Sequence, residues 1–194
     1  MSSKTQTRKK FAGLTTSRLR LRDFTVADLK TFTAYRNDPK VARYQSWQSY
    51  DIDSAEAFFM LQRVLAFGQP NSWYQIAITD LNTDLILGDC VIHFGAGNCD
   101  KTVEIGFTLA TEHQGHGYAV EAIEALLAFL FNQLKLRRVI AVTDVLNSAS
   151  IRLLEGLGFR REAHFVENLF YKGSWGSEYA YGLLQREYVE RDLK

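Results

Sequence analysis

The sequence predicts one mixed α/β domain built on a single sheet, and three observations predict it. First, 194 residues suffice for one hydrophobic core and leave little chain for a second domain of ordinary size. Second, hydrophobic and aromatic contents of 46% and 13% are those of a folded globular chain. Third, strand-like segments meander at first and then alternate with helical ones, the order of a mixed sheet with helices packed on it.

The elements follow in chain order. Arg18 to Phe24 alternates charged and apolar residues, the period-two signature of a half-buried strand. Thr25 reads as a helix N-cap and the helix runs to about Asn37, where Pro39 stops it. A second helix is expected from Asp53 to about Phe67, ending at Gly68. Strands follow at Trp73 to Thr79, Leu85 to Phe94 and Thr102 to Leu109, the last two joined by a turn at Gly95, Ala96, Gly97 and Asn98. A long helix from about Gly117 to Leu134 carries Ile123, Leu126, Leu127, Leu130 and Phe131 at helical spacing. Arg138 to Thr143 is a strand, and Asn147 caps a helix ending near Gly156 or Gly158. Phe159 to Val166 and Glu178 to Leu184 complete the strands.

Charge and cysteine content exclude several classes. With 23 basic and 22 acidic side chains, net +1, the chain has no overall electrostatic footprint for DNA or RNA. Its basic concentration, Lys4, Arg8, Lys9 and Lys10, belongs to a stretch, residues 1–14, that reads as a disordered tail; RNA affinity through it is the alternative. Cys90 and Cys99 suggest reduced thiols in a reducing compartment, with no zinc spacing around them and no metal expected. No apolar run approaches the roughly 20 residues of a membrane span, and the N-terminus lacks the apolar core of a signal peptide. A cytoplasmic location is expected.

The chemistry concentrates in Glu104 to Ala122, where a strand enters a loop with two glycines and the loop opens the long helix. Gly115 and Gly117 let backbone approach an anion, and unpaired N–H groups at the helix start, with the helix dipole, favour negative charge there. A pyrophosphate suits such a cradle; a plain steric turn is the other reading of the glycines alone. The phosphate-loop sequence GxxxxGK[ST] is absent, and GxGxxG would need glycine where Val120 stands.

Gln114-Gly115-His116-Gly117-Tyr118-Ala119 resembles the Q/R-x-x-G-x-G/A signature of the GNAT acetyltransferases. Asn147-Ser148-Ala149-Ser150 followed by Leu157-Gly158-Phe159 resembles the second cofactor segment of that family. Arg36-Asn37-Asp38-Pro39 and the segment from Gly173-Ser174-Trp175 to Tyr181-Gly182-Leu183-Leu184 resemble its RimJ/RimL branch, which acetylates protein N-termini. The likeness covers about Thr15 to Tyr188. It implies a domain over residues 15–194 with a mostly antiparallel sheet of about six to seven strands and helices on both faces. It also implies acetyl-CoA as co-substrate and an amine acceptor, without metal. Dimers are common among such proteins, and no sequence feature demands one.

Site residues carry over from the resemblance by position. Phe107, Thr108 and Leu109 would offer a strand edge to the pantetheine arm, Gln114 through Ala119 would hold the pyrophosphate, and Asn147 would contact the pantetheine as well as cap its helix. Glu104 aligns with the family's water-assisted base, with a solvated residue balancing Lys101 as the alternative. A backbone N–H near Leu109 is the implied oxyanion donor. The family's usual thiolate acid, a tyrosine, is replaced here by Leu154; Ser150 matches a serine proposed for that role in the branch, or packs as a small helix residue. Tyr44, Trp47 and Tyr50 line the acceptor cleft or pack as core. The acceptor is expected to be a protein or peptide N-terminus, with a small amine (a polyamine, an aminoglycoside or an amino acid) as alternative. A non-catalytic acyl-CoA-binding module is the reading from another class, motivated by the missing tyrosine.

Overall fold

The computed structural model of the chain describes residues 9–45, 47, 49–95 and 101–191. Eight strands form one sheet in the order β1-β2-β3-β4-β5-β6-β8-β7. The strands are β1 (Leu14–Thr15), β2 (Leu19–Arg22), β3 (Ser72–Asp80), β4 (Ile86–Phe94), β5 (Thr102–Leu109), β6 (Arg138–Asp144), β7 (Arg160–Tyr171) and β8 (Ser174–Leu184). All neighbours pair antiparallel except β5 and β6. The helices are α1 (Leu29–Arg36), α2 (Pro39–Ala42), α3 (Ile52–Val64), α4 (Tyr118–Ala128), α5 (Ser148–Gly156) and α6 (Gln185–Arg191).

Strand alternation divides the core between the two faces of the sheet. Tyr74, Ile76 and Ile78 of β3 join Ile123, Leu126 and Leu127 of α4 in the larger apolar cluster. Each of these α4 side chains is fully buried, a stabilisation of about 2 kcal/mol apiece. Ala77, between two of those β3 residues, packs on the other face with Leu29 and Phe32 of α1 and Ala55 of α3. Where β3 extends beyond β2, its open backbone edge is capped by Gln62 of α3. The Gln62 amide donates to the Trp73 carbonyl at 3.0 Å and accepts from the Gln75 N–H at 3.0 Å.

Several expectations are corrected. The sheet has eight strands rather than six or seven, because Leu14–Thr15 adds a short edge pair that two residues of pattern cannot announce. Pro39 begins a helix rather than only ending one: Asp38 caps α2 by accepting from the Lys40 N–H at 2.8 Å, and proline occupies the first turn, where its missing N–H costs nothing. The second helix stops at Val64, with extended Leu65 following, ahead of Gly68. The long helix leaves α geometry at Ala128 and closes with a wider π-type turn over Phe129–Gln133. The final two strands are several residues longer than expected, and α6 follows them. Phe11 is buried against Phe67 and Phe129, so the packed chain begins ahead of the boundary at residue 14. Ala96, Gly97, Asn98 and Cys99 lie outside the described residues, as do residues 1–8, while Cys90 is a buried free thiol.

Candidate active site

The site grows from the one parallel pair in the sheet. β5 and β6 are in register at Thr102↔Arg138, Val103↔Val139 and Glu104↔Ile140, and then part while each strand continues. On its other side β5 remains paired to β4 as far as Leu109. The Ala110 N–H donates to the Leu87 carbonyl at 3.0 Å. By antiparallel alternation, the backbone groups of Ile105, Phe107 and Leu109 therefore point away from β4, into the gap. Gly88 permits this pairing at its end, because a Cβ there would lie 2.2 Å from the Thr108 carbonyl oxygen.

Two adjoining cavities fill the gap. The outer one, about 490 Å3, is lined by Phe107, Thr108, Leu109, Gln114, Gly115, Gly117, Tyr118, Ala119, Asn147 and Ser150, all expected from the sequence, together with Lys40 and Arg152. The inner one, about 200 Å3, shares Tyr44, Gln45, Phe107, Asn147 and Ser150 with it and adds Asp144, Leu154, Leu169, Tyr171 and Glu178. Asn147 accepts from the Ser150 N–H at 3.2 Å, the N-cap bond that aims the start of α5 at both cavities.

The cradle geometry fits an anion. Gly115 and Gly117 have φ of +79° and +80°, and nothing lies within 4 Å of a Cβ built on Gly115, so backbone can close on a ligand there without a side chain intervening. The loop is braced from the turn between β1 and β2. Glu121 in the first turn of α4 accepts from Thr16 Oγ1 at 2.6 Å, Ser17 Oγ at 3.0 Å, and the Arg18 N–H and Nε at 2.9 and 2.6 Å. Arg18 also donates to the His116 carbonyl at 3.0 Å and lies over the Tyr118 ring. His116 is exposed and is not in the lining of either cavity. Burial would raise the Glu121 carboxyl, but those hydrogen bonds more than offset it and hold the group at about 2.

Glu104 is half-buried on β5, opposite His93 of β4. Burial raises its carboxyl above the ordinary value, opposed by the His93 charge and reinforced by that of Glu178. Register places Glu178 beside Asp144 across β6 and β8, so these two carboxylates meet on this face. Tyr171 donates to Asp144 at 2.7 Å, and that bond, with burial, pushes its phenol up to about 12. Next to it, Lys172 at the hairpin tip donates to the carbonyls of Ala42 and Arg43, joining the tip to the end of α2 across the inner cavity. Leu154, where the family's tyrosine would stand, is buried and lines this cavity.

Among the expected acceptor residues, Tyr44 lines both cavities. Trp47 and Tyr50 do not: they flank the Arg36 guanidinium, at 4.1 and 5.1 Å from the ring centroids. Gln45, Lys40, Arg152, Asp144, Tyr171 and Glu178 escaped sequence reasoning. Arg152 could have been found one turn beyond Ala149 on α5; Tyr171 and Glu178 had no local signal, since hairpin register brings them in.

Residues 18–160 match the model of the acetyltransferase (GNAT) domain. The chain belongs to the GNAT acetyltransferase family. It is 31% identical to the uncharacterised N-acetyltransferase p20 of Bacillus licheniformis, over 91% of this chain and 98% of that one. A GNAT-family acetyltransferase structure from Bacillus anthracis superposes with a TM-score of 0.79 at 26% identity, covering 90% of this chain and 99% of that chain. The fold is also that of the spermidine N-acetyltransferase of Vibrio cholerae, solved with CoA and spermine, with a TM-score of 0.76 at 23% identity over 90% and 99% of the two chains. The GNAT chain described here is thus an acetyl-CoA-dependent N-acetyltransferase.

Proposed function

We propose that this N-acetyltransferase acts in the cytoplasm on the N-terminal amine of a protein or peptide. The observation that carries the reading is the inner cavity. Asp144 and Glu178 are among its lining residues and no Lys or Arg is, and the nearby Lys172 ammonium is engaged by the Ala42 and Arg43 carbonyls, so the cavity attracts an ammonium group. At about 200 Å3 it is smaller than the roughly 300–1,000 Å3 of pockets that enclose a drug-sized ligand, and it suits a chain end. Beyond it the sheet face is open and apolar: Val142 and Leu169 line the cavity, and Phe165 sits opposite Glu178, all three at least 40% exposed. That strip can carry the residues following a peptide's first.

In this reading Gln114 through Ala119 bind the pyrophosphate of acetyl-CoA, with Lys40 and Arg152 supplying positive charge at the outer cavity. The bound co-substrate supplies an acetyl thioester. Glu104 accepts the amine's proton, and its raised affinity for protons suits that role. The Leu109 N–H, free of β4, is the donor placed to stabilise the carbonyl oxygen. Ser150, which lines both cavities, is the hydroxyl available to protonate the thiolate in place of the missing tyrosine.

The gathered carboxylates favour a second reading, a small polyamine acceptor. Free-thiol release from acetyl-CoA with N-terminally free peptides, with the same peptides N-blocked, and with spermidine separates the two. Turnover with free peptides alone supports the first reading, and turnover with spermidine alone replaces it with the second.

A further inference from the structure

The segment Arg36–Pro39 touches both halves of the site, and each of its residues makes a separate contact. The Arg36 carbonyl accepts from Trp47 Nε1 at 3.0 Å, and its guanidinium packs on the Trp47 and Tyr50 rings while pairing with buried Asp89 at 3.5 Å. Asn37 clasps the backbone of Tyr50, accepting from its N–H at 2.9 Å and donating to its carbonyl. Pro39 starts α2, whose Lys40 and Val41 line the outer cavity and whose end leads into Tyr44 and Gln45. Asp38 faces the other way: besides capping α2, it accepts from the hydroxyl of Thr111. Thr111 opens the short turn Thr111–His113, which leads directly into Gln114 and the glycines of the cradle.

We propose that Asp38 and Thr111 are positioning residues that transmit occupancy of the acetyl-CoA cradle to the acceptor-side residues Tyr44, Gln45, Trp47 and Tyr50. The proposal rests on the cradle's binding CoA. The physical case is one of short, continuous linkage. An anion seated on the loop after Thr111 orders that loop, and the Thr111 hydroxyl shares its Asp38 partner with the first turn of α2. Movement of α2 must carry Tyr44 and Gln45 directly, and Trp47 and Tyr50 through Arg36 and Asn37. Coupling between two ligands is reciprocal, so acceptor and co-substrate each tighten the other. Trp47 and Tyr50 thereby act on the acceptor side without touching the cavities.

Trp47 provides a reporter that needs no acceptor. In a background of Trp73→Phe and Trp175→Phe, both at exposed positions, titration with CoA is expected to change Trp47 emission. Thr111→Val should reduce that change at least fivefold while CoA still raises the melting temperature; Thr111→Ser should restore it. Asp38→Ala, which leaves Thr111 no side-chain partner at this position, provides a second variant should the valine form fail to fold. Retention of the full emission response in Thr111→Val or Asp38→Ala overturns the link, as does a Trp47 signal silent to CoA in the parent. If CoA fails to stabilise the parent at all, the cradle reading falls first and the link with it.

Discussion

Replacing Glu121 by glutamine tests whether the bracing from the β1–β2 turn holds the cradle. One oxygen of Glu121 accepts from Thr16, Ser17 and the Arg18 N–H, and the other from the Arg18 guanidinium. Glutamine keeps the shape but turns an NH2 toward a donor. Hydrogen bonds to a charged group contribute about 1.5–3 kcal/mol. The Arg18 side chain is 46% exposed and Glu121 16%, so screening argues for the lower part of that range, about 2 kcal/mol. For a chain of this size each kcal/mol moves Tm by about 2–4 °C, so a fall of about 4–8 °C is expected at pH 7. The sign with pH follows from the carboxyl, ordinarily 4.5 and held at about 2 in the fold. A depressed carboxylate contributes its full stability above 4.5 and loses it as pH falls toward 2, with about 0.8 kcal/mol gone by pH 4. Urea unfolding of both proteins at pH 7, 5 and 4 reads the gap directly. A gap under 0.5 kcal/mol at pH 7, or one that does not narrow by pH 4, would refute the bracing.

Four further outcomes are expected. Glu104→Gln should lower kcat about 100-fold, the scale of a lost general base, with Tm unchanged or raised because a half-buried charge is removed. In the wild type kcat/KM should decline as pH drops through the raised carboxyl, above the ordinary 4.5, and a pH-rate profile flat in that region would count against Glu104. Asn147→Ala should lose the α5 cap at a cost of about 1 kcal/mol, seen as a Tm lowered by about 2–4 °C, and should raise KM for acetyl-CoA; an unchanged KM would confine Asn147 to capping. Gly88→Ala should destabilise by about 3 kcal/mol or more, since its Cβ would collide with the Thr108 carbonyl, and a Tm within 2 °C of wild type would contradict the strand register.

The legible part of this protein was the part written locally. Thr102 to Leu109 reads as a strand from its own alternation, and its observed bounds are those residues. The two-glycine turn was legible because glycine at positive φ followed by an amphipathic helix is a backbone device requiring no distant partner. Asn147 was legible for the same reason, as a cap beside the helix it starts. The π-type turn after Ala128 left no trace in periodicity, because the same apolar residues serve α and π geometry. Trp47 and Tyr50 were placed near the site as aromatic residues of a linker. Their partner, the Arg36 guanidinium, is set by a buried contact with Asp89 on another element.

By itself, then, the sequence determined the mixed fold through the order of its elements, the family through segments spread from Arg36 to Leu184, and the two-glycine turn ahead of α4 within a few consecutive residues. The tertiary structure alone decided the inner cavity. The parting of β5 from β6 follows from pairing partners far apart in the chain. Asp144, Tyr171 and Glu178 meet there through hairpin register, and Lys172 reaches Ala42 across 130 positions. Contacts at such separations depend on how the sheet is ordered, and no local pattern of residue types specifies them.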